Sequence, residues 1–156
     1  MESLPIMATK NEQALLDTIA FSEIGRTLLA KSDNGYNVLL GGTLFSGYAD
    51  HPRKLITVNG LTSTAAGRYQ ILERYFDAYK KQLSLMDFSP ASQDKIALQM
   101  IKEVGADHLI NDGQFEQAIN KCSTRWASLP GAKYGQHVND MEHLKAYYEN
   151  VGGTVA

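Results

Sequence analysis

Glu23 stands four residues after Ile19 and seven after Leu16. On a helix that spacing puts it on the side of the apolar stripe, one turn before the end. A carboxyl group there faces apolar neighbours, which favours its neutral form. A glutamic acid kept protonated near neutral pH is a proton donor suited to breaking a glycosidic bond. The same spacing also fits a helix-end Glu that simply reaches solvent. Two further stretches carry groups suited to sugars. Ser63 to Gln70 ends in Tyr69, whose ring can stack on a sugar face, and Gln70, whose amide both donates and accepts. A plain turn before a helix has the same look. Trp126 to Gln136 is a Pro- and Gly-containing loop that presents Tyr134 outward, while Trp126 reads as a core residue.

The elements that must position these groups are mostly helical. Thr9-Lys-Asn-Glu12 has the form of a capping box, and Leu15, Leu16, Ile19 and Ala20 recur at helical spacing. They predict a first helix from Lys10 to Ile24, stopped by Gly25. Tyr36 to Phe45 reads as a hairpin around Gly41-Gly42, followed by a polar loop with Asp50-His-Pro-Arg-Lys54. Ile71 to Leu83 is predicted helical, with Leu72, Tyr75, Phe76 and Tyr79 on one side and the Lys80-Lys81 pair in water. Ser89-Pro90 opens a helix to Val104 that Gly105 ends. Phe115 to Cys122 predicts a short helix, and Asn139-Asp-Met-Glu142 caps a last one ending near Gly152-Gly153. The expected fold is α+β, mostly helical with one small β-sheet or hairpin.

The 156 residues suit one domain spanning 1–156, with 1–8 as a loosely packed N-terminal segment. Net charge is −2, which argues against the basic footprint of a nucleic-acid binder. No signal-like start or membrane-length apolar run is visible, so a cytoplasmic location without membrane insertion is expected. Cys122 is the single cysteine, which excludes an internal disulfide, and it reads as core rather than as a nucleophile. His51, His108, His137 and His143 show no zinc-ligand spacing, so neither metal nor other cofactor is expected.

Several segments in order identify a family resemblance: Gly35-Tyr36, Gly41-Gly42, Asp50-His-Pro-Arg-Lys-Leu55, Ala66-Gly-Arg-Tyr-Gln70, Asp77-Ala-Tyr79, Lys81-Gln-Leu83, Asp87-Phe-Ser-Pro90 and Trp126-Ala-Ser-Leu-Pro-Gly-Ala132. With these the chain resembles the lambda-type lytic transglycosylase family of phage endolysins over nearly its whole length. The resemblance implies a lysozyme-like fold. Ser22-Glu23 fills the place of the family's serine and catalytic glutamate, and Tyr69 and Gln70 line a glycan groove. Loops around Asp50 to Gly60 and Leu129 to Asn139 match the lips of that groove, which adds His51, Arg53 and Tyr134 as substrate-binding candidates. Phe21 stands where the family pattern has tryptophan, and Tyr75-Phe76 where it has a tryptophan pair.

The implied reaction cuts peptidoglycan between N-acetylmuramic acid and N-acetylglucosamine and closes a 1,6-anhydro ring, with Glu23 as both acid and base. The implied partners are the wall's glycan strands, and a holin that releases a monomeric enzyme to the periplasm. Two alternatives stay open on the residues alone. A muramidase would need a second carboxylate, for which Asp17, Asp33 and Asp50 are the candidates. A non-catalytic peptidoglycan-binding module would keep the fold without the chemistry.

Overall fold

The computed structural model describes residues 8–131 and 139–156. Packing groups the chain into two compact units, one formed by the chain up to Ser22 and from Leu98 onward, the other by Glu23–Ala97.

The first unit is helical. Helix α1, Lys10–Ile24, begins at the predicted capping box: Glu12 N donates to Thr9 Oγ1 at 3.0 Å, and Thr9 N to Glu12 Oε1 at 3.2 Å. Two of the four free amides of the helix start are thereby satisfied. Leu15, Leu16, Ile19 and Ala20 are buried as their spacing requires. Helices α5 (Ala106–Asn111), α6 (Phe115–Cys122) and α7 (Met141–Asn150) complete the unit. Phe115 and Tyr148 pack with ring centres 4.8 Å apart, and Cys122, Trp126, Leu129 and Leu144 are buried with them. Asn11 ties the start of α1 to the rest: its amide donates to Ile110 O and accepts from the Thr154 backbone N–H. The cap expected from Asn139 is absent. Helix α7 follows Asp140, which makes no side-chain cap bond, and Asn139 stands one residue earlier with its Nδ2 directed to Ser22 and Ser128.

The second unit holds α2 (Arg26–Lys31), a 3-10 turn at Leu40–Gly42, strands β1 (Ile56–Val58) and β2 (Leu61–Ser63), and α3 (Glu73–Gln82). Helix α4, Pro90–Glu103, starts in it and is capped by Ser89, whose Oγ accepts from Ser92 N. The small sheet is not where the sequence pointed. Residues 36–45 reverse direction around Gly41 and Gly42, both at positive φ, but hold only one bridge, Val38 to Leu44. The true hairpin is β1–β2, turning on Asn59 (φ 49°) and Gly60 (φ 80°). Asn-Gly between short runs of strand formers is the stronger hairpin signal, since both turn positions need positive φ. Helices α2 and α5 are not marked by the sequence pattern. Each has six residues, and α2 buries none of them, so neither carries an amphipathic pattern long enough to read. On α3, Phe76 and Tyr79 are buried as expected, while Tyr75 is 44% exposed under the Arg74 guanidinium.

The loop before β1 is organised by Arg53. Its guanidinium meets Asp50 through Nε and Nη2, Glu73 through Nη1, and Asp77 through both Nη1 and Nη2, all at 2.7–3.2 Å. These bonds use all five N–H groups of the fork. Asp50 and Asp77 are thereby held below the ordinary carboxylate value of 3.8, chiefly by the bond to Arg53. Depressed folded-state values mean that this contribution is complete above pH 3.8 and is lost as pH falls through them. Arg53→Gln is therefore expected to lower the melting temperature by about 2–4 °C at pH 7. Thermal melts at pH 7 and pH 3 should show the gap closing at the acid end. A gap that persists at pH 3 would show that packing, not ion pairing, makes the difference.

Candidate functional site

Glu23 is partly buried at the last turn of α1, between two partly buried residues, Ser22 and Ile24. Gly25 ends the helix at φ 88°, as predicted, and α2 begins directly after it. The two residues before Glu23 are each held from outside the helix. Phe21 stacks on Tyr147 of α7, with ring centres 4.1 Å apart and planes 10° from parallel. The departure from tryptophan here thus still presents an aromatic face. Ser22 Oγ lies 2.8 Å from Ser128 Oγ and accepts from the Asn139 amide at 2.8 Å.

The Ala66–Gln70 segment is a structural knot. Gly67 takes φ 84°, and a Cβ there would collide with the Gln93 side chain. The Gln93 amide is buried: it accepts from Arg68 N at 2.9 Å and donates to Tyr36 O and Phe88 O. Tyr69 is fully buried; its hydroxyl donates to Asp94 at 2.6 Å and accepts from Arg68 Nη1 at 2.9 Å. The ring has no face to lay against a sugar, so the expected stacking role gives way to a scaffold role. Burial first, and Asp94 with it, raises both the Tyr36 phenol, to about 12, and that of Tyr69. Both stay protonated and act as donors to Asp94.

Gln70 is partly buried at φ 51°. Its Nε2 donates to Gly67 O at 2.8 Å and Val38 O at 3.1 Å. Both donor hydrogens are used within the fold, so a bond to a glycan must be accepted at Oε1. His51 is also spent inward. It is 2% exposed and packs on Phe76 and Phe88. Nδ1 accepts from Arg53 N, which leaves the proton on Nε2 to donate to Ile71 O at 2.8 Å. Burial lowers its pKa and holds the ring neutral. With both ring nitrogens used, His51 is a brace for its loop and not a ligand for substrate. Arg53, with its fork filled by three carboxylates, is likewise a brace. Tyr134 lies outside the described residues.

The possible second carboxylates have other work. Asp33 closes a tight turn with Asn34 (φ 51°) and Gly35 (φ 86°), and its carboxylate accepts from Tyr48 Oη at 2.5 Å. Asp50 is paired with Arg53. Cys122 is enclosed, and burial pushes its thiol up to about 12, which disqualifies it as a thiolate nucleophile. His108 and His143 lie exposed on α5 and α7, whereas His51 is buried.

Known proteins are similar to this chain over nearly its whole length. The endolysin family model matches residues 13–155. The endolysin of Escherichia phage lambda is 54% identical over 145 residues, covering 92% of each chain. The endolysin of Escherichia phage P2 is 41% identical over 165 aligned positions, covering 98% of this chain and all of its own. The structure of bacteriophage lambda lysozyme in complex with a chitohexasaccharide superposes with a TM-score of 0.91 at 49% identity, over the whole of both chains. A second structure of lysozyme from bacteriophage lambda gives 0.85, again over both whole chains. The α+β architecture is therefore lysozyme-like, and the chain belongs to the endolysin family.

Proposed function

We propose that this chain is a lytic transglycosylase acting as one catalytic domain, with Glu23 as the sole acid and base. Cleavage of peptidoglycan follows from its place in the endolysin family. The finer reading rests on one observation: Asp33 and Asp50, two of the carboxylates a hydrolase could draw on, are engaged by Tyr48 and Arg53. The third, Asp17, sits on a different face of α1 from Glu23.

In the proposed reaction Glu23 gives its proton to the oxygen leaving C1 of N-acetylmuramic acid. The resulting carboxylate then takes the proton of the C6 hydroxyl of the same sugar as that oxygen bonds to C1. The glycosidic bond breaks, the 1,6-anhydro bond forms, and Glu23 ends protonated as it began. No water is consumed. One carboxylate suffices because the nucleophile is part of the substrate, and intramolecular attack gains up to about 7–11 kcal/mol from proximity. The lambda lysozyme complex with a chitohexasaccharide supports a glycan as ligand. Gln70 Oε1 is proposed to accept a hydrogen bond from it. Among the described residues no helix is long and apolar enough to cross a membrane. Release to the wall through a holin lesion, and action as a monomer, belong to the same proposal.

Mass spectrometry of fragments released from purified peptidoglycan tests the reaction. Products lighter by one water and lacking a reducing muramic acid end are expected; reducing ends would mean a muramidase, and no release a binding module. Glu23→Gln should lower turnover by about 10²–10⁴-fold with folding intact. Gln70→Ala removes two internal donors and should cost about 1–3 kcal/mol of stability as well as kcat/KM. A variant that melts earlier but cleaves normally below its melting temperature would confine Gln70 to the scaffold.

A further inference from the structure

The last four carbonyls of a helix have no partner within it. Ser22 O is one of these in α1, which ends at Ile24. It accepts from Asn139 Nδ2 at 3.1 Å, the same nitrogen that reaches Ser22 Oγ at 2.8 Å. Ser22 Oγ also meets Ser128 Oγ at 2.8 Å, and Asn139 N donates to Ser128 O at 2.9 Å. A residue 117 positions away along the chain thus caps the C-terminal end of α1 at the peptide that joins Ser22 to Glu23. On the far side, Gly25 has no neighbour within 4 Å of where a Cβ would stand. The backbone on the N-terminal side of Glu23 is therefore fixed by these bonds.

From this geometry we infer that Asn139 and Ser128 are positioning residues for the reaction, setting where the Glu23 carboxyl stands by holding Ser22. The inference rests on the catalytic reading of Glu23. The Asn139 amide is the central part, because it supplies donors to both the carbonyl and the hydroxyl of Ser22. An aspartate has the same shape but, ionised, only accepts, so it would set a negative oxygen against Ser22 O. Ser128 holds the hydroxyl alone, and its loss leaves the carbonyl capped. A displacement of about 1 Å at a reacting group can cost about 10²-fold in rate.

The test measures kcat and KM on purified peptidoglycan for Asn139→Asp, Ser128→Ala and Glu23→Gln, with melting curves for each and the assay well below every melting temperature. Asn139→Asp is expected to lose about tenfold or more in kcat with KM within about twofold. Ser128→Ala should lose less, and Asn139→Gln, which keeps the amide donors, should recover part of the loss. A lower melting temperature with normal kcat in Asn139→Asp and Ser128→Ala would make the cluster merely structural and overturn the inference. So would a loss confined to KM. Should Asn139→Asp fail to fold, the double variant Ser22→Ala/Ser128→Ala decides, with a kcat loss expected and an unchanged kcat overturning the inference. Glu23→Gln separates the two claims: wild-type turnover there sinks the parent reading itself, whereas an inactive Glu23→Gln beside fully active cluster variants sinks only the positioning role.

Discussion

The Glu23–Ala97 unit depends on a missing side chain. Gly67 turns at φ 84°, and the space where its Cβ would be is filled by the amide of Gln93. An L-residue at that φ would itself be disfavoured by about 1–2 kcal/mol, and the collision would add displacement of a fully buried amide. That amide is bonded to three main-chain groups, Arg68 N, Tyr36 O and Phe88 O, which belong to segments far apart in sequence. A buried polar group with every partner in place is rigid, and one with a partner missing costs about 1–3 kcal/mol. The turn, the start of α4 and the loop before the 3-10 turn are therefore fixed together or not at all.

Around this knot the ionisable groups are arranged to stay put rather than to react. Arg68 is 5% exposed, gives Nε–H to Asn34 O and Nη1–H to the Tyr69 hydroxyl, and lies over the rings of Tyr36 and Tyr69. Tyr36 and Tyr69 both donate to Asp94. Such networks consume donors that a sugar hydroxyl could otherwise meet. They explain why a motif legible as a family signature contributes mostly scaffold. Gln70 gives its two amide hydrogens to Val38 and Gly67, so toward a sugar its side chain can act only through Oε1.

Helix α1 was legible because its start and its end are both local events: Thr9 and Glu12 cap each other, and Gly25 breaks the ladder. The buried roles of Cys122 and Trp126 were legible from hydrophobic setting alone. The sheet lies at Asn59-Gly60 rather than at Gly41-Gly42, because Asn and Gly both tolerate positive φ and stand there next to strand formers. The inward turn of Tyr69 and His51 could not be read, since the partners that claim them, Asp94 and Ile71, are 25 and 20 residues away. Arg53 was open to misreading for the same reason: a basic residue in a loop looks available until Glu73 and Asp77 arrive from α3. The role of Asn139 was hidden by a local pattern that fits an N-cap equally well.

A reaction run by one carboxylate places an unusual demand on that side chain. A two-carboxylate enzyme can fix each group where a single proton transfer needs it. On the proposed mechanism Glu23 must serve first the leaving oxygen and then the C6 hydroxyl, so its carboxyl needs some freedom while its Cα needs none. The residues just before it meet the second of these demands. Phe21 and Ser22 are held by Tyr147, Ser128 and Asn139, elements more than 100 residues distant. Holding the residues just before the acid fixes where its Cα stands, which suits a group that must serve two steps in turn.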